Sequence, residues 1–233
     1  MQKIIVGNWK MHGNAALAKT LAVDVAGQAA KSSAQVILCP PFTLIAQLNW
    51  LISGSNLALG GQDCSPQPEG AYTGDISAQM LKDAGCKYVI IGHSERRQYH
   101  HESNEKVRLK AEQAIKTGLI PILCIGENAE ERKSGKAIDN VCQQLRQCLP
   151  KGDFLLAYEP VWAIGSGRTP TLDEIGQMHA AITAVTPAPV LYGGSVNAGN
   201  AKDIMAVDGV AGVLVGGASL KAEEFCKIIA SAI

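Results

Sequence analysis

Eight short apolar runs, spaced about 22 to 35 residues from start to start, leave this 233-residue chain few ways to fold. They are IIVGNW from residue 4, QVILCP from 35, LALGGQ from 57, KYVIIG from 87, LIPILCIG from 119, FLLAYE from 154, PVLYGG from 189 and GVLVGG ending at Gly217. Between them lie segments with helical spacing, such as Leu17, Leu21 and Val25, then Val107, Ala111, Ala114 and Ile115, and finally Leu220 with Phe225, Ile228 and Ile229. Strands that are almost continuously apolar and alternate with helices imply a parallel sheet covered on both faces. Eight such units at this length match an α/β fold of one closed (β/α)8 barrel, a single domain over residues 1–233. An open doubly wound sheet is the alternative, but the first strand and turn carry no GxGxxG fingerprint. No interior linker or low-complexity stretch marks a second domain.

Charge narrows the partners. With 21 basic and 21 acidic side chains the chain has no net field, which removes the electrostatic case for nucleic acid or an acidic membrane surface. Seven cysteines without a CxxC pair read as reduced thiols and point to the cytosol. The start MQKIIVGNWKMHG reads as a first strand rather than a signal peptide or a spanning helix.

Barrel closure sends every strand's carboxyl end to one rim, so residues far apart in sequence are expected to meet there. Strand 1 ends in Asn8 and Lys10, strand 4 in His93 followed by Ser94 and Glu95, and strand 6 in Glu159. One cation, one imidazole and one carboxylate should therefore converge. Behind Glu159 the run AYEPVWAIGSGRTP, residues 157–170, couples a Pro-stiffened exit to an apolar underside and two glycines, the composition of a lid over residues 160–170. Strand 7 ends in Gly193-Gly194-Ser195 and strand 8 in Gly216-Gly217, each expected to run directly into a helix and to present backbone N–H groups to a phosphate. No residue cluster has metal-ligand spacing. Cys124, at the end of strand 5, is expected near Glu127 or the carboxylate base, in a supporting role. His12, His100, His101 and His179 read as structural.

NWKM, GHSERR, AYEPVWAIGSG, LYGGSV and LVGGASL occur in the order, spacing and strand-end context of the triosephosphate isomerase family, and the chain resembles that family from end to end. The resemblance implies cofactor-free interconversion of dihydroxyacetone phosphate and glyceraldehyde 3-phosphate in glycolysis and gluconeogenesis. It makes Glu159 the base that shuttles a proton between adjacent carbons and His93 the donor to the substrate oxygens. Lys10 would be the fixed positive charge, held by Glu95, with Asn8 orienting the carbonyl side. Ser195 would join the N–H groups of Gly165, Gly194, Gly216 and Gly217 around phosphate. Desolvation under a closed lid should raise the pKa of Glu159, and the helix start at Ser94 should keep His93 neutral.

The segment GGQDCSPQPEGAYTGDIS, residues 60–77, matches the family's protruding third loop. By that resemblance the chain is a homodimer, with Thr73 touching the neighbouring copy's site near Lys10. In the family the hydroxyl equivalent to Tyr192 bonds a backbone N–H at the lid's far hinge; here that position is Pro170, which has none, so the closed lid should lack a bond worth about 0.5–1.5 kcal/mol. The stretch TAVTPAPVLYGGS shortens the seventh helix and connection, with no functional effect expected. Rival readings are an isomerase of another small phosphosugar and a non-catalytic barrel that binds phosphorylated metabolites.

Overall fold

A computed structural model of the chain describes residues 2–164 and 168–232. Its strands are β1 (Ile4–Asn8), β2 (Gln35–Cys39), β3 (Leu57–Gly61), β4 (Cys86–Ile91), β5 (Ile120–Ile125), β6 (Leu155–Tyr158), β7 (Val190–Tyr192) and β8 (Val210–Val215). They pair in sequence order, all parallel, and β8 returns to β1 with Ile4 opposite Gly212, which closes the barrel. The closed (β/α)8 architecture expected from the sequence is the one observed.

Strand periodicity sorts the apolar side chains into two cores. In β5, Ile122 and Cys124 point into the barrel beside Val6, Ile37, Ile90, Leu191 and Leu214, whereas Leu123 and Ile125 point out toward the helices. Because both faces are covered, all six residues of β8 are buried, which explains its continuous apolar sequence. Around the barrel run α1 (Ala15–Ala29), α2 (Phe42–Leu51), α3 (Ala78–Asp83), α4 (Ser94–Tyr99), α5 (Asn104–Thr117), α6 (Ala129–Lys133), α7 (Ala137–Cys148), α8 (Leu172–Thr183), α9 (Ala201–Ala206) and α10 (Ala222–Ala230). Their outer core residues recur at helical spacing, as Leu21, Ala22, Val25 and Ala29 do in α1.

Side-chain caps set where helices begin near the rim. Asn128 and Thr171 close capping boxes with Glu131 and Glu174, satisfying backbone N–H groups that a helix start leaves open. One expectation is corrected here. Gly193 and Gly194 do not run directly into a helix, because the Asn197 side chain accepts from the N–H groups of Gly199 and Asn200 and holds a turn that delays α9 to Ala201. After β8 the expectation is met in reduced form, as a single 3₁₀ turn over Gly217–Leu220.

Candidate active site

The carboxyl ends of β1, β4, β6, β7 and β8 enclose a cavity of about 210 Å³. Asn8, Lys10, His93 and Glu159 line it together with Gly193, Gly194, Ser195, Gly216 and Gly217. Ile164, from the apolar underside expected behind Glu159, adds an apolar lining together with Val196 and Leu214.

Lys10 is held in an unusual backbone conformation, with φ at 52°. For a residue with a side chain this costs about 1–3 kcal/mol and survives only where surrounding bonds over-determine it. Three do so. Its N–H donates to Asn8 Oδ1 at 2.9 Å, its carbonyl accepts from Gln62 Nε2 at 2.8 Å, and its Nζ reaches Glu95 Oε1 at 2.5 Å. The expected Lys10–Glu95 pair is present, on the half-exposed side of the rim.

His93 is the N-cap of α4, and its Nδ1 accepts the N–H of Glu95 at 3.2 Å. With Nδ1 engaged as an acceptor, the neutral ring carries its proton on Nε2, the atom that faces Glu159. Nε2 lies 2.9 Å from Glu159 Oε1, and the second carboxylate oxygen accepts the N–H of Ser94 at 2.9 Å. Beyond this contact Oε1 has no hydrogen-bond partner among the described residues. Both residues are buried.

This pairing sets the charge balance of both residues against the effect of burial. Burial alone would raise the Glu159 pKa, but the adjoining His93 and the Ser94 N–H stabilise the carboxylate and hold it below the usual value. Burial would likewise lower the His93 pKa, but the charge and close contact of Glu159, with the Glu95 charge added, together raise it. For each residue the other member of the pair is the largest of the causes that oppose burial.

Behind Glu159, Pro160 leads into a 3₁₀ turn over Val161–Ala163. The fully buried Glu127 anchors this turn, since its backbone carbonyl accepts from Val161 N and its Oε1 accepts from Trp162 Nε1 at 2.8 Å and Tyr158 Oη at 3.1 Å. The Arg132 guanidinium sits 5.6 Å over the Trp162 ring and pairs with Glu174 at the start of α8. From sequence, Glu127 is visible only as a neighbour of Cys124, although its place two residues beyond β5 marks it as a rim residue. Arg132 carries no such signal. Ser195 Oγ donates to the Ala163 carbonyl at 2.7 Å and so ties the β7 side to the same turn.

Among the remaining residues singled out in the sequence, Cys124 points into the barrel, where burial foremost and the Glu159 charge after it push its thiol pKa up. It stays a neutral thiol within reach of the Glu159 charge. Tyr192 is buried, its Oη has no partner among the described residues, and it lies directly under Gly194. Thr73 is exposed on the connection between β3 and α3, away from the cavity lining. Gly165 lies outside the described residues. His12, His100 and His101 are exposed, and His179 is buried against Tyr158 with Nδ1 3.2 Å from the Gly209 carbonyl. Among the described residues no group of three His, Cys, Asp or Glu side chains could hold a metal ion, and no helix is long and apolar enough to cross a membrane.

The family model for triosephosphate isomerase matches residues 3–232. A triosephosphate isomerase of Xanthobacter flavus is 46% identical, with the match covering 97% of this chain and 95% of that protein. One from Caulobacter vibrioides is 47% identical over the same shares. The crystal structure of triosephosphate isomerase from Bartonella henselae superposes with a TM-score of 0.92 at 38% identity and covers 99% of each chain. Sequence, fold and rim geometry agree that the chain belongs to the triosephosphate isomerase family, the aldose–ketose isomerases of three-carbon phosphates.

Proposed function

We propose that the cavity performs the isomerisation with Glu159 as base, His93 as proton donor and Lys10 as fixed cation. Moving a carbonyl to the adjacent carbon requires removal of a weakly acidic C–H proton and stabilisation of the enediolate that forms. When substrate enters between Glu159 and His93, the carboxylate loses the two contacts that hold its pKa down, and burial is left to raise its basicity. His93 loses the anion that raises its own pKa and returns to a neutral ring, with Nε2–H directed at the substrate oxygens. Lys10 faces the same oxygens, and Asn8 orients them. The phosphate lies against Gly194, Ser195, Gly216 and Gly217, with Gly165 completing the cradle from the lid. No cofactor takes part.

The single observation behind this reading is that Lys10, His93 and Glu159 line one cavity of about 210 Å³ together with the glycine pairs. That volume favours a triose phosphate over a larger phosphosugar, and the presence of base, donor and cation argues against a barrel that only binds. A coupled assay on glyceraldehyde 3-phosphate with the wild type and Glu159→Ala tests it. The wild type should turn over rapidly while the variant loses about a thousandfold or more in kcat with its fold intact. Equal rates would remove Glu159 as base.

The chain is read as one domain with a lid over 160–170 and a third loop over 63–77. A second cavity of about 560 Å³ opens beside Lys10, lined by Met11, Phe42, Tyr99 and Glu95 among others, and Met11 is 94% exposed. An apolar hollow at the rim suits the third loop of a second copy, with Thr73 approaching Lys10 in a homodimer. Free cysteines and the absence of net charge fit a cytoplasmic enzyme.

A further inference from the structure

Arg97 lines neither rim cavity, yet its guanidinium holds the turn that presents His93. Nε donates to the Gly92 carbonyl at 2.8 Å, Nη2 to the Cys124 carbonyl at 3.1 Å and to Cys148 Sγ at 3.5 Å, and Nη1 to Asn104 Oδ1 at 2.7 Å. The β4–β5 ladder ends with Ile91 opposite Leu123, and Gly92 and Cys124 are the next residue on each strand. The guanidinium therefore continues the strand pairing one step past its last backbone partners. It does so where β4 turns into the active site.

That turn has little freedom otherwise. Gly92 has φ at 70°, and a Cβ there would meet Val107 Cγ1 at 2.7 Å and Arg97 Nη2 at 3.1 Å, so the backbone is wedged between the two side chains. His93 follows at once, with Nδ1 bound to the Glu95 N–H and Nε2 aimed at Glu159. The neighbouring Arg96 is different in kind, because it pairs with the carboxylates of Asp63 and Glu102. Arg97's partners are three neutral oxygens and a sulfur, and the contact that matters is a planar fork spanning two carbonyls, which an ammonium cannot reproduce.

We propose that Arg97 is a positioning residue for His93, fixing the Gly92–His93 turn so that Nε2–H meets the reacting oxygens. The inference rests on the reading of His93 as proton donor. Displacement of a catalytic group by about 1 Å can cost on the order of a hundredfold in rate, whereas the phosphate cradle on β7 and β8 does not depend on this turn.

The test is steady-state kinetics on glyceraldehyde 3-phosphate with R97M, R97K, H93Q and the R97M/H93Q double variant, with inorganic phosphate as competitive inhibitor. R97M is expected to lower kcat at least tenfold while KM and the phosphate inhibition constant stay within about twofold, and R97K to recover only part of the loss. In the H93Q background R97M should add less than about twofold, because its route to the chemistry is already gone. Wild-type kcat in R97M, losses that multiply in the double variant, or an equal rise in the phosphate constant would each overturn the inference. If R97M does not fold, R97K is read by the same criteria, and unchanged kcat in it is equally fatal. Wild-type kcat in H93Q would instead sink the reading of His93, and this inference with it.

Discussion

On the β1, β4 and β6 side of the cavity, charged side chains meet one another directly, Lys10 with Glu95 and His93 with Glu159. The strand ends of β7 and β8 contribute glycine backbone, the Ser195 hydroxyl and the apolar side chains of Val196 and Leu214. The first side can change its charge when partners separate, and proton transfer needs that. The second offers N–H dipoles that keep the same sign at every pH, as suits a permanent anion. A residue on the first side matters for the group it carries, and a glycine on the second for the side chain it lacks.

The largest expected effect separates the two sides kinetically. Glu159→Ala should lose about a thousandfold or more in kcat with little change in KM. Gly194→Ala should do the reverse, raising KM about tenfold while kcat is largely kept. Its Cβ would overlap the Tyr192 hydroxyl and meet Pro160 Cγ at 3.0 Å, so the variant should also lose about 1–3 kcal/mol of stability. Gly217→Ala sharpens the contrast, because a Cβ there meets nothing within 4 Å. It should raise KM while stability stays within about 0.5 kcal/mol. A Gly217→Ala variant with unaltered KM would break the backbone reading of the β8 side.

A smaller effect comes from pH, and two buried histidines should respond in opposite directions. Burial lowers the pKa of His179 to about 4. The unfolded chain then binds more protons than the native one between pH 6.5 and 4, and stability falls as pH falls through that window, by about 3 kcal/mol in full. The pKa of His93 is instead raised, with burial opposing and the charges and contact of Glu159 and Glu95 together prevailing. Its contribution is complete below its ordinary value and is lost as pH rises through the folded one. Denaturant midpoints from pH 4 to 9 on the wild type, H93Q and H179N check this. H93Q should flatten the alkaline limb and H179N the acid limb, and a G194A profile parallel to the wild type would confirm that the glycine backbone of β7 does not titrate.

The smallest effect concerns Tyr192, whose buried hydroxyl has no partner among the described residues while Pro170 lacks an N–H to offer. Pro170→Ala supplies one. It should strengthen lid closure by about 0.5–1.5 kcal/mol and slow opening, read from product-release kinetics. Unchanged opening, with no new protection of the amide at 170, would remove the idea.

The barrel was legible in the sequence because strands buried on both faces have to be apolar throughout, and the eight runs announce themselves that way in β5, β6 and β8. Lys10, His93 and Glu159 were legible as strand-end residues, since closure brings every such end to one rim. Gln62, Glu127, Arg132 and Arg97 were not identified as supports, although each holds a site segment in place. Their partners are backbone carbonyls, an indole and other distant groups, and no local spacing encodes such a pairing. The turn after Gly194 was misread for a related reason, because a glycine pair after a strand looks the same whether a helix or an Asn197-held turn follows.

By itself the amino-acid order determined the number of strands, their order around the barrel and the chemical groups at its rim, since periodicity and apolar burial are local properties that survive in a linear string. Only the tertiary structure decided how those groups are charged. Glu159 and His93 each shift against the direction that burial alone would impose, because two residues 66 positions apart in the chain come within 2.9 Å. Electrostatic energy depends on distance through space, and no reading along the sequence contains that distance.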